Sequence, residues 1–159
     1  MKSAILASLA LVAGTVGLTA CSGGSEQAKV DDGTQEGISV TDGRLVLPAV
    51  KGNPGAVYFT VHNDGDRDSF IRKADVKGAK SAQLHEMTMQ NGNSVMAEAT
   101  QIPVPAGKEV EFKPGAMHVM AFDLDDSLAA GGTGEVTLTF IGGRTATFPV
   151  EILAAGDAR

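Results

Sequence analysis

The 159-residue sequence has no tryptophan, one tyrosine and one cysteine, and aromatic residues make up only 4% of it. With a single cysteine, Cys21, no intramolecular disulfide can form, and whatever folds downstream of it contains no thiolate. A core without Trp must be built from Val, Leu, Ile, Ala, Phe and Met. Basic residues are also in the minority: 13 Lys and Arg against 19 Asp and Glu leave a net charge of −6, with no basic stripe to meet a phosphate backbone. Nucleic acid is therefore excluded as a partner. The apolar runs are short, and the longest, Ala4 to Val16, falls below the length of a membrane-spanning helix.

That run follows Met1-Lys2-Ser3 and ends at Leu18-Thr19-Ala20-Cys21, the order of a secretory signal peptide with small residues at its cut. Leu-Thr-Ala-Cys resembles the lipobox of bacterial lipoproteins. The resemblance implies cleavage before Cys21, lipidation of its sulfur, and a protein anchored by lipid outside the cytoplasmic membrane or elsewhere in the cell envelope. The expected organisation is a leader over 1–20, a lipidated cysteine and tether over 21–37, one domain over 38–155 and a polar tail over 156–159. The tether, from Ser22 to Gly37, is polar, rich in Gly and Ser, and without apolar period.

Within the domain the apolar residues recur every second position. Ala56 to His62 puts Val57, Phe59 and Val61 on one face and Tyr58, Thr60 and His62 on the other. Further strands are expected over Ile38–Val40 and Leu45–Leu47 around an Asp42-Gly43 turn, then over 69–76, 81–89, 95–98, 108–112, 116–122, 135–141 and 144–152. Gln90-Asn91-Gly92-Asn93 and Gly142-Gly143 are hairpin turns by composition. Only Asp125 to Ala130 has a helix-like look, and a turn fits it as well. Seven to nine short strands at this spacing predict an all-β fold, an antiparallel sandwich of Greek-key type.

Seven of the nine His and Met residues, His85, Met87, Met89, Met96, Met117, His118 and Met120, fall between positions 85 and 120. On an extended segment His118 and Met120 share a face, while Met117, Val119 and Ala121 face the core. His85, Met87 and Met89 share a face as well, and the Asn91-Gly92 turn can fold Met96 back toward His85. The two pairs are then expected to meet at one end of the sandwich. Neutral, soft thioethers select Cu(I), imidazole serves either copper oxidation state, and zinc would recruit thiolate, carboxylate or more histidine. His85, Met96, His118 and Met120 are thus the candidate ligands. Met87 and Met89 are read as packing or supporting residues, and His62 as a half-exposed strand residue.

The spacing His85, ten residues, Met96, twenty-one residues, His118, one residue, Met120 is similar to the signature of the periplasmic copper chaperones called PCu(A)C. Ala56-Val57-Tyr58-Phe59-Thr60-Val61-His62-Asn63, Leu84-His85-Glu86 and Lys113-Pro114-Gly115-Ala116-Met117-His118-Val119-Met120 resemble the family's text around it. The resemblance implies a cupredoxin-like sandwich and Cu(I) held by the four matching residues. It also implies delivery toward the binuclear copper centre of cytochrome c oxidase, through an oxidase subunit or assembly factor. Ala116, where the family often has glycine, and the lipidation site at Cys21 are the two departures.

Other classes fit less well. A blue-copper carrier needs a cysteine ligand. A zinc protease motif beginning at His85-Glu86 would need His where Met89 stands, and no Gly-x-Ser-x-Gly elbow is present. No enzyme is expected. A copper buffer would use the same four ligands without delivering the ion, and a metal-free adhesion or assembly module would leave the histidines incidental.

Overall fold

The computed structural model describes residues 37–157. The leader, Cys21 and all of the tether except Gly37 lie outside the described residues. Ten strands form: β1 (Ile38–Val46), β2 (Gly55–Asn63), β3 (Ser69–Val76), β4 (Ala79–Gln90), β5 (Asn93–Glu98), β6 (Ile102–Val104), β7 (Lys108–Phe112), β8 (His118–Leu124), β9 (Thr133–Phe140) and β10 (Thr145–Leu153). Their hydrogen-bonded order is β5-β4-β8-β2-β1-β10-β9-β3-β6, with β7 also on β2. β3 pairs with β9 and β6, whereas the next strand, β4, pairs with β8 and β5. The chain thus changes sheet at the Lys77-Gly78 turn, and the strands close into a two-layer β-sandwich. Pairing is antiparallel throughout except between β1 and β10, which run parallel.

Alternation decides which side of each strand is buried. Val57, Phe59 and Val61 of β2 are fully enclosed, as are Val119 and Ala121 of β8 and Val136 and Leu138 of β9. Phe59 stacks on Phe112 with ring centroids 4.2 Å apart and meets Phe148 edge-on at 5.2 Å, which brings β2, β7 and β10 together at the middle of the core. Such offset and edge contacts suit the ring quadrupoles and add to the area term.

One local expectation changes and one alternative is decided. Asp42-Gly43 is not a turn between two strands but a bulge inside β1: Thr41 pairs with Thr60 and Arg44 with Tyr58, so β1 carries one residue more than β2 between these pairs. Asp42 takes a positive φ of 56° to do this. The extra residue resets the alternation, burying Leu45 completely and turning Arg44 to the outer face beside Tyr58. Gly43 is required because a Cβ there would lie 2.7 Å from the Pro149 carbonyl oxygen. Asp125 to Ala130 is a turn rather than a helix, since the Asp125 carboxylate accepts from the Ser127 amide at 2.8 Å and its carbonyl from Leu128 at 3.1 Å. β6 was not expected from the alternation because three residues around Pro103 are too few to show a period.

Candidate metal centre

Three strands build the site, and their registers decide what meets. The β4–β5 hairpin closes on Asn91 and Gly92, both at positive φ (52° and 81°), with Gln90 opposite Asn93. A two-residue turn of this kind fixes every later pair. It sets Met87 opposite Met96 and His85 opposite Glu98. On its other side β4 pairs with β8, with His85 opposite His118 and Gln83 opposite Met120. Between these pairs Leu84 meets Val119, and both point into the core. Cross-strand partners share a face, so His85, Met96, His118 and Met120 all stand on the side away from the core. The meeting place is therefore the outer face of the β5-β4-β8 sheet rather than an end of the sandwich. The reason is the parity of the His85–His118 pair, which only the pairing of two distant strands reveals.

His118 is the deepest of the four, 7% exposed. Its Nδ1 lies 3.0 Å from the Ala116 carbonyl oxygen, which can only accept, so Nδ1 carries a proton and the tautomer this selects presents a lone pair at Nε2. That Nε2 sits 3.1 Å from the sulfur of Met96. The His85 ring is edge-on to His118 with centroids 5.6 Å apart. Its Nε2 lies 3.4 Å from the Gln83 side-chain oxygen, and its Nδ1 is buried with no hydrogen-bond partner. Burial, then the neighbouring His118, hold the His85 pKa below its ordinary value, against a smaller opposite pull from Glu98. Met120 occupies the next outward position of β8, between Gln83 of β4 and Ala56 of β2. Met96 is half open to solvent at 51%.

The chemistry of this donor set fits monovalent copper. The lone pair at His118 Nε2 faces the Met96 thioether, and a buried imidazole nitrogen on His85 has nothing to bond. Unpaired buried nitrogen is costly unless an ion or water serves it. Among the described residues no three His, Cys, Asp or Glu side chains come together as zinc would require.

Sequence reasoning did not find the aromatic support. Tyr58 faces outward next to β8, its ring 6.4 Å from that of His118, and the Arg44 guanidinium lies 5.5 Å over the tyrosine ring. Burial raises the Tyr58 pKa, with Arg44 pulling the other way, so the phenol stays neutral. Tyr58 was legible as an outward residue of its strand; Arg44 was hidden by the bulge. His62 lies apart, 3.1 Å from the Thr41 hydroxyl and 3.6 Å from Glu109. Met117 packs against the core, as its face predicted.

A family model described as "Putative lipoprotein LpqE-like" matches residues 38–152. The chain belongs to this LpqE-like family. A curated relative, "Putative lipoprotein Lxx21020" of Leifsonia xyli subsp. xyli, is 31% identical over 139 residues, covering 86% of this chain and 82% of its own. Among solved structures, the copper-bound PCuAC domain from PmoF2 is similar over 81% of this chain and 98% of its own, at 21% identity and a TM-score of 0.64. The Cu(I) form of DR1885 from Deinococcus radiodurans is similar over 83% of this chain and 85% of its own, at 23% identity and a TM-score of 0.54. The fold implied by the PCu(A)C resemblance is therefore present: the LpqE-like chain has the cupredoxin-like sandwich of those domains.

Proposed function

We propose that this LpqE-like protein is a copper chaperone of the cell envelope, anchored by lipid at Cys21, which carries Cu(I) on His85, Met96, His118 and Met120. The observation that carries the reading is the approach of His118 Nε2 to the Met96 sulfur at 3.1 Å, while the Ala116 carbonyl at 3.0 Å from Nδ1 favours the tautomer that leaves the Nε2 lone pair free. Two electron-pair donors held this close gain from an ion that both can bind. Two of the similar solved structures, one copper-bound and one in its Cu(I) form, support the same reading. The family's description as lipoproteins supports the anchor.

Copper is the cargo, and release matters as much as capture. All four ligands are neutral, so an acceptor can displace them one at a time without proton transfer to a thiolate. Met96, on the open side of the edge strand β5, is the first to be exchanged, and the buried His118 the last. The acceptor is a copper-receiving subunit or assembly factor for the binuclear centre of cytochrome c oxidase. Anaerobic Cu(I) titration of the full chain in detergent, against a competing chelator, tests the site. One tightly held equivalent is expected in the wild type, lost in His118→Ala and weakened in Met96→Leu, Met120→Leu and His85→Ala. Unchanged affinity in the His118 and Met96 variants would refute it. Delivery predicts lower copper content of the oxidase in a strain carrying His118→Ala; normal oxidase copper in that strain refutes delivery.

A further inference from the structure

Three methionines stand in a row on the outward face of the β4–β5 hairpin, and only one of them belongs to the four-donor set. Met87 is directly opposite Met96, and Met89 follows on the same face, opposite Ser94. Directly opposed residues have Cβ atoms about 5 Å apart and alternate residues of one strand about 7 Å, within reach of flexible thioether chains converging on one ion. Exposure rises along the row, from half-buried Met87 to Met89 at 69%. An exposed methionine at a hairpin tip gains nothing from burial, so packing does not explain Met89.

We propose that Met87, Met89 and Met96 form a second, thioether-only Cu(I) site, the loading position from which copper enters the centre at His85 and His118. This rests on the copper reading above and extends it. Three neutral sulfurs match Cu(I) and offer little to Cu(II), Zn(II) or harder ions. Met96 belongs to both positions: its sulfur already lies 3.1 Å from His118 Nε2, while its opposite neighbour is Met87. A copper ion on the outer row can exchange Met89 and Met87 for His118 and His85 while Met96 stays bound. The ion remains Cu(I) throughout, and no proton or electron moves. Ser94, opposite Met89, is small and leaves the hairpin tip open to a donor molecule.

The test is anaerobic titration of the full chain in detergent with Cu(I) alone, following the methyl groups of 13C-labelled methionine by NMR. The first equivalent is expected to move the Met96 and Met120 signals, and a weaker second one, held by Met87 and Met89 alone while Met96 stays with the first ion, those of Met87 and Met89. In the Met87→Leu/Met89→Leu double variant, which conserves volume at outward positions, the second equivalent is lost and the first is kept. In His85→Ala/His118→Ala the Met87 and Met89 signals still respond to Cu(I). Met87 and Met89 signals that stay fixed in the wild type through two equivalents, or a second equivalent that survives in the double leucine variant, would overturn the loading site. A first equivalent that leaves Met96 and Met120 unmoved would instead overturn the four-donor reading.

Discussion

Replacing Asn63 by alanine removes a polar clamp at the far end of β2, and its cost can be counted bond by bond. Asn63 is 1% exposed. Its side-chain amide nitrogen donates to the carbonyls of Val104 at 2.8 Å and Arg67 at 2.9 Å, and its side-chain oxygen accepts from the Gly65 amide at 3.1 Å. These bonds tie β2 to β6 and hold the loop between β2 and β3. In Asn63→Ala the buried Val104 carbonyl loses this donor, at about 1–3 kcal/mol, while water can reach the Arg67 and Gly65 groups, at about 1 kcal/mol each. The sum is roughly 3–5 kcal/mol, which for a domain of about 120 residues lowers the melting temperature by about 12–20 °C.

Asn63→Asp separates hydrogen bonding from shape. The carboxylate has the size of the amide but no donor, and it would face two carbonyl oxygens from a buried position. It should destabilise more than alanine, although it keeps the Gly65 bond. Thermal unfolding followed by circular dichroism measures both variants. A shift below about 4 °C for Asn63→Ala, or an Asp variant milder than the Ala one, would refute this account. Asn63 lies seven residues along β2 from Ala56, the neighbour of Met120, or about 23 Å of strand. Copper stoichiometry at 25 °C should therefore be unchanged.

Gly43→Ala tests the bulge: its Cβ would meet the Pro149 carbonyl oxygen at 2.7 Å and Val150 Cγ1 at 2.9 Å, neither free to retreat. Urea titration should show a loss of about 1–3 kcal/mol, and an unchanged midpoint would mean that β1 can shift away from β10. pH tests His85. Its folded pKa is depressed by burial and by His118, so just below the unfolded value of about 6.5 the unfolded chain takes up a proton that the native state refuses. This contribution to stability is intact above that value and declines as pH falls through the window down to the folded pKa. The urea midpoint should drop between pH 7.5 and 5 in wild type, and less in His85→Gln; equal slopes would show that His85 titrates normally.

How far the sequence could be read depended on whether the information was local. The Asn91-Gly92 turn and the alternation in Ala56–His62 are local signals, and both the hairpin and the buried face of β2 stand where they were expected. The grouping of the His and Met residues was legible for the same reason, because His118 and Met120 need only period two to share a face. What was not legible was set by pairing between distant strands. The face that the site occupies follows from the His85–His118 register, and the place of Arg44 beside Tyr58 follows from a bulge whose Gly43 lies against the Pro149 carbonyl, more than a hundred residues away in β10. Asn63 stands at the head of an Asn-Asp-Gly-Asp run with the composition of a turn, yet it is a buried bracket, since its two acceptors come from different segments.

The outer face of a sheet is an unusual place to hold a metal ion tightly, and that bears on what the site is for. A centre in the core would be shielded by both layers, and the domain would have to open for every exchange. Here the backbones beneath the histidines are fixed by the Leu84–Val119 pair and its buried neighbours, so opening the site requires no movement of the core. Rigidity is confined to one side: His118 is held by the Ala116 carbonyl and flanked by Tyr58, whereas Met96 sits on an edge strand with solvent beyond it. On the proposed function, an ion bound between them would have a fixed nitrogen beneath and a movable sulfur above. Exchange at the sulfur would leave the nitrogen geometry intact, so a half-transferred ion would never be free. The proposed carrier role needs that asymmetry, and a store, which gains from closing both sides, does not.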